Sequence, residues 1–199
     1  MAFHRFDIAS LAATPWKNGG GVTREIVCSP AGAGMEHFDW RISIATIDRP
    51  GPFSAFDGVD RVIMLLDGAG VRLHSEDGRI DHRLDVPFAP FAFDGGVPLD
   101  CELLGGTSTD FNVMSRRGRL RADVGVLSKR VDIASAPQGL LLALRGPWRL
   151  NDLDCQAGSG VWWDDEPVAW QAIPQSAEAA LVAVRFEPGD NNIRESNTP

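Results

Sequence analysis

"VDRVIMLLDG" (residues 59–68) decides how this chain is read. After Arg61 it runs apolar from Val62 to Leu66 with no helical spacing, and Asp67-Gly68 closes it with a turn signal. A strand that is nearly continuous in apolar character has both faces covered, which places it inside stacked sheets. The neighbouring "WRISIATI" (40–47) alternates Trp40, Ile42 and Ile44 against Arg41, Ser43 and Ala45, the pattern of a half-buried strand. "VRLHS" and "RIDHRLDV" flank "EDG" (76–78), which predicts a hairpin with glycine where φ must be positive. "LDCELL" (99–104), "FNVMSR" (111–116), "LLLALRG" (140–146), "GVWWDD" (160–165) and "ALVAVRFE" (180–187) predict further strands. Short strands at intervals of roughly ten residues, separated by Gly, Pro and Asp, make an all-β sandwich or barrel.

"LLDGAGVRL" (65–73) and "ALRGPWRL" (143–150) echo one another at an offset of about 78 residues, which fits two related β-sandwich halves. The end of the chain, "EPGDNNIRESNTP" (187–199), is poor in apolar residues and is expected to fray.

With 199 residues, 44% hydrophobic and 23% charged, the chain has the composition of a folded globular protein. Its net charge of -8 repels nucleic acid and anionic membrane alike. The basic stretch "SRRGRLRAD" (115–123) has no interleaved aromatics and reads as a solvated turn. The N-terminal residues lack the charged-then-apolar pattern of a signal peptide, and the apolar run Leu140 to Leu144 is too short to span a bilayer, so a cytoplasmic location is expected. Cys28, Cys101 and Cys155 are well separated and read as buried free thiols.

Among residues able to carry chemistry, Arg61 is the most informative. Alternation puts it on the face of Ile63 and Leu65. If that face lines an interior, the guanidinium needs a partner: a core acid, solvent at the strand end, or a ligand carboxylate that its planar fork suits. Arg41 shares a face with Ser43; its own strand reads it as solvent-facing, and it is kept as a candidate ligand-binding residue. Asn112 and Met114 share one face of their strand, with Phe111 and Val113 on the other, and the amide could meet a ligand or a loop.

"WKNGGGVTR" (16–24) sets Trp16, Lys17 and Asn18 before Gly19, Gly20 and Gly21. A nucleotide-phosphate loop would need Gly-Lys-Ser/Thr and a helix after the glycines, whereas "VTREIV" is a strand. A substrate-facing loop and a tight structural bend both stay open. His4, His37, His74 and His82 form no ligand spacing; the last two fall on opposite arms of the hairpin and read as a surface cross-strand pair, so no metal is expected. No nucleophile signature is present. Adjacent Trp162 and Trp163 must point to opposite faces, and the outward one could cover a second layer or an oligomer interface.

"WKNGGGVTREI" (16–26), "WRISIATI" with "GPFSAFDGVDRVIMLLDG" (40–68), and "DFNVMSRRG" (110–118) together resemble the HutD/Ves family, with three separate motifs in the family's order over most of the first 118 residues. The resemblance implies a bicupin, two jelly-roll β-sandwich halves in one chain, divided as 1–118, 119–190 and a frayed tail at 191–199. It implies a regulatory or sensor role in histidine utilisation, exerted by binding an acidic intermediate such as N-formylglutamate or urocanate. By the same resemblance Arg61 would clamp the ligand carboxylate. Trp16, Lys17, Asn18 and Gly19 to Gly21 would edge the pocket, and Asn112 with Met114 would match the Asn-Val-Met segment. The histidine and glutamate ligands of metal-binding cupins are missing, so neither metal nor cofactor is expected. The anticipated partner is a small acid, with a homodimer left open, and the alternative is a metal-independent enzyme of small carboxylic acids using Lys17 for proton transfer.

Overall fold

Alternation becomes sheet along almost the whole chain in a computed structural model of the protein, which describes residues 3–189. The order is β1 (His4–Asp7), a 3-10 turn (Ile8–Ser10), β2 (Ala13–Pro15), β3 (Gly21–Ser29), the four-residue helix α1 (Gly34–His37), β4 (Trp40–Ile47), β5 (Gly51–Phe53) and β6 (Val59–Asp67). Then come β7 (Val71–His74), β8 (Asp81–Leu84), β9 (Phe91–Asp94), β10 (Leu99–Leu103) and β11 (Ser108–Arg116). Beyond the turn at Gly118 follow β12 (Leu120–Leu127), β13 (Val131–Ala136), β14 (Gln138–Arg145), β15 (Trp148–Leu150), β16 (Leu153–Cys155), β17 (Ser159–Trp163), β18 (Val168–Pro174) and β19 (Ala180–Pro188).

These strands form two sandwiches. A six-stranded sheet, β2-β3-β4-β11-β6-β9, faces a four-stranded sheet, β5-β10-β7-β8; a five-stranded sheet, β1-β17-β14-β19-β12, faces another of four, β13-β18-β15-β16. The two larger sheets also pack against each other. Trp40, Ile42, Ile44, Phe111 and Val113 meet Leu140, Leu142, Val184 and Phe186 across that seam, with the Trp40 and Phe186 rings 4.6 Å apart. Side chains of this size each gain about 1.5–3 kcal/mol on full burial, so the seam joins the halves into one cooperative body. Four layers result, and the central strands are covered on both faces.

That layering corrects the reading of β4, whose burial is continuous from Trp40 to Ala45 because a second large sheet lies behind it. The echo has a structural counterpart: after β6 and after β14 the chain leaves a large sheet for the outer one, turning at Gly68 (φ 95°) and Gly146 (φ 62°). The "EDG" hairpin forms with Gly78 at φ 71°, but its histidines are offset. His74 lies opposite Asp81, while His82 lies opposite Leu73 and stacks on Phe91 at 3.7 Å. Cys101 and Cys155 are buried, whereas Cys28 is only partly so.

The first described strand joins the second sandwich. β1 pairs with β17, from His4 opposite Trp162 to Asp7 opposite Ser159, and the His4 ring stacks on Trp162 at 4.1 Å. The outward tryptophan of the adjacent pair is thus covered by this chain. The basic turn that links the halves is neutralised: Arg117 pairs with both Asp60 and Asp94 at 2.7 Å, and Arg119 with Asp39. Glu187 and Pro188, expected to fray, still pair with Arg121 and Leu120 in β19; the tail at 191–199 lies outside the described residues. Among the described residues no helix is long and apolar enough to cross a membrane.

Candidate functional site

A cavity of about 600 Å³ opens at one end of the first sandwich, and three strand faces converge on it. β6 contributes Arg61, β4 contributes Arg41 and Ser43, and β11 contributes Asn112 and Met114. Each is an alternate residue on an inward face, so the pleat aims it between the sheets rather than into the central seam.

Arg61 is 3% exposed, and no salt-bridge partner reaches it among the described residues. Its Nη1 donates to the Ser54 carbonyl (3.0 Å) and its Nε to Asn112 Oδ1 (3.4 Å). The guanidinium carbon stands 4.5, 5.6 and 5.2 Å from the ring centres of Phe53, Phe56 and Phe93. The sequence left open a core acid, solvent or a ligand for this residue; the structure finds a cation held by aromatic faces and two neutral oxygens. Burial draws its pKa down to about 10, opposed by the charge of Asp110. It therefore stays charged at neutral pH, and no hydrogen bond among the described residues uses Nη2.

Arg41 corrects its solvent-facing reading. It is 7% exposed; Nε donates to Glu25 Oε2 (2.7 Å), and Nη1 to Ser43 Oγ (3.2 Å) and more weakly toward Met114 Sδ (3.9 Å). The floor thus holds two guanidiniums, one matched by a carboxylate and one not.

The rim comes from residues 14–18. Trp16 is fixed by its Nε1 donating to Thr23 Oγ1 (2.8 Å) and forms an aromatic wall, while Lys17 and Asn18 lie exposed at the mouth. The glycines do not line the cavity. Gly20 N–H is capped by Asn18 Oδ1 (2.9 Å), and Gly20 O accepts from Asp48 N (2.9 Å) and Arg49 N (3.2 Å). A side-chain carbon on Gly21 would collide with the Thr46 carbonyl. Of the two readings of this run, the tight bend describes the glycines, and the site-facing one describes only the three residues before them.

Several lining residues were not singled out from sequence. Glu25 shares its strand face with Thr23, so alternation within "VTREIV" held the signal. Phe53 and Phe56 lie in "GPFSAFDG", beside Arg61 in sequence as in space. The lining contains one carboxylate, Glu25, and no histidine among the described residues, and no group of three or more His, Cys, Asp or Glu is placed there to hold a metal ion. A buried cation without a salt-bridge partner, ringed by aromatics, can take an anionic head group whose remainder is apolar or planar.

Comparison with known proteins agrees with this architecture. The HutD family model matches residues 8–181. Protein Ves of Cronobacter sakazakii is 40% identical over 161 residues, covering 80% of this chain and 86% of that protein. The structure of HutD from Pseudomonas fluorescens SBW25, obtained in a formate condition, superposes with a TM-score of 0.81 at 28% identity, covering 94% of this chain and all of that one. The formate complex of oxalate decarboxylase from Lactobacillus farciminis is similar in fold alone, with a TM-score of 0.64, 11% identity and coverage of 92% and 86% of the two chains. The all-β, two-sandwich chain is a bicupin.

Proposed function

The chain belongs to the HutD family, associated with histidine utilisation, and on that premise we propose that it is a binding protein for a small carboxylate whose occupancy regulates that pathway. The observation that carries the proposal is Arg61, a fully charged guanidinium 3% exposed, facing a cavity with no carboxylate of its own in contact. Nη2 is the position for a ligand oxygen, with the Asn112 amide beside it. Arg41 and Lys17 extend the positive field toward the mouth, and Trp16 and Phe53 offer flat walls to the ligand body. A metal-free mode of binding is in keeping with a lining that offers one carboxylate and no histidine among the described residues. A cytoplasmic location suits three free thiols. The enzymatic alternative required a buried Lys17, and the side chain is exposed.

Calorimetric titration with formate, N-formylglutamate, urocanate and glutamate tests the reading. At least one should bind, and Arg61→Ala should weaken it by about 100-fold or more, as expected when one partner of a buried charge pair is removed. Undiminished binding by the variant would remove Arg61 from the site. Product formed under single-turnover conditions would favour the enzyme instead.

A further inference from the structure

Asp110 is a charged group of this half that the carboxylate clamp leaves unused. It is 2% exposed, and neither carboxylate oxygen has a hydrogen-bond partner among the described residues. It lies on the inner face of β11, two residues before Asn112, so the strand face whose amide accepts from Arg61 carries this carboxyl one step deeper.

Its surroundings are mostly apolar. In register across β4 stands Ala45, and across β6 stands Leu65. β6 also supplies Arg61, the cation whose field reaches it, while Arg41 on β4 is tied to Glu25. β10 of the facing sheet supplies Cys101, with Glu102 pointing outward. Burial, and after it the charges of Asp110 and Glu102, push the Cys101 thiol up to about 12, so it stays neutral. Burial pushes the Asp110 carboxyl up to about 7, with Arg61 acting in the opposite direction.

Asp110 does not line the cavity, so an incoming carboxylate senses it through Arg61, whose field is set by one proton on the carboxyl behind it. With Asp110 ionised, part of the Arg61 field is cancelled and a second anion must settle near the first. With Asp110 protonated, that opposition is gone. We propose that the cavity takes up its carboxylate ligand together with one proton, which Asp110 receives from solvent. The inference rests on Arg61 as the carboxylate anchor and adds that affinity rises as pH falls through neutrality. By linkage, the ligand raises the proton affinity of Asp110 by the factor by which protonation of Asp110 raises ligand affinity. No bond of the ligand is made or broken.

The test uses the whole protein and formate, which stays ionised throughout a range of roughly pH 6 to 9, far above ordinary carboxyl values. At about pH 8, the heat of binding should change linearly with the ionisation enthalpy of the buffer, with a slope approaching one proton, and affinity should fall by up to about tenfold per unit above neutrality, the limit for one linked proton. In Asp110→Asn both dependences should vanish. Formate bound with the same heat in every buffer would overturn proton coupling while leaving Arg61 as anchor. No binding in any buffer, at any pH, would overturn both. A slope that survives in Asp110→Asn would assign the proton to another group and overturn the role of Asp110. Should that variant not fold, carbon-13 titration of the wild-type Asp110 carboxyl decides: its midpoint must move upward with formate, and a fixed midpoint overturns the coupling.

Discussion

Where the first sandwich turns Arg61 toward its interior, the second turns Gly139. The echo that matches Leu65 with Ala143 brings these two positions into correspondence, on strands that occupy equivalent places beside their turns at Gly68 and Gly146. A side chain on Gly139 would run into the Trp163 ring, which is fully buried and donates from Nε1 to the Ala136 carbonyl at 2.8 Å. Trp148 and Trp170 complete that interior. In the first sandwich the corresponding volume is bounded by Arg61, Arg41 and Asn112 and stays open. One strand plan therefore yields a solid core or a polar cavity, according to what a handful of inward positions carry. The backbone supplies the enclosure and the side chains decide whether anything is left to enclose.

The comparison breaks most visibly at Trp163. Trp163→Ala should cost about 3–5 kcal/mol, as large aromatic deletions from cores do, measured by urea unfolding. Formate affinity at the distant cavity should hold while the protein is folded; a loss below about 1 kcal/mol would mean that this ring is not what fills the second interior.

Asp110 sharpens the contrast through stability. Its folded pKa, about 7, is raised above the ordinary 3.8, so its contribution is full below 3.8 and is lost as pH rises through about 7. Wild-type stability should fall across that window by up to about 1.4 kcal/mol per pH unit relative to Asp110→Asn, followed by chemical denaturation at several pH values. Parallel pH profiles would show that Asp110 does not titrate there.

The smallest effect is expected at Glu25. Because it occupies Arg41 from a half-exposed position, Glu25→Gln should free that guanidinium and tighten carboxylate binding by about threefold to tenfold, with the gain shrinking at high salt. Unchanged calorimetric affinity would place Arg41 beyond the reach of the ligand.

Strand faces were legible because alternation is a property of single strands. It placed Arg61 with Ile63 and Leu65, and Asn112 with Met114, without knowledge of any neighbour. What lies over a face is not local information, so Arg41 read as exposed, whereas the second large sheet takes the Trp40, Ile42 and Ile44 face and leaves Arg41 turned into the first sandwich beside Glu25. Three-residue strands such as β5, β15 and β16 are too short to show a period. Asp110 was within reach, since extending the alternation of Asn112 and Met114 by one step puts it on the same face; its isolation from any partner depends on a different sheet. The pairing of β1 with β17 had no sequence signal, because strand partners far apart in the chain leave no shared pattern.

That last pairing carries a consequence for biosynthesis. Asp7 and Ser159, whose side chains hydrogen-bond at 3.1 Å, are 152 residues apart, so β1 leaves the ribosome long before β17 exists. Local hairpins of the first sandwich can close meanwhile, whereas β1 must wait with an open edge, the slow and non-local step of the topology. Its docking marks the moment at which the nascent second sandwich has become complete enough to receive it.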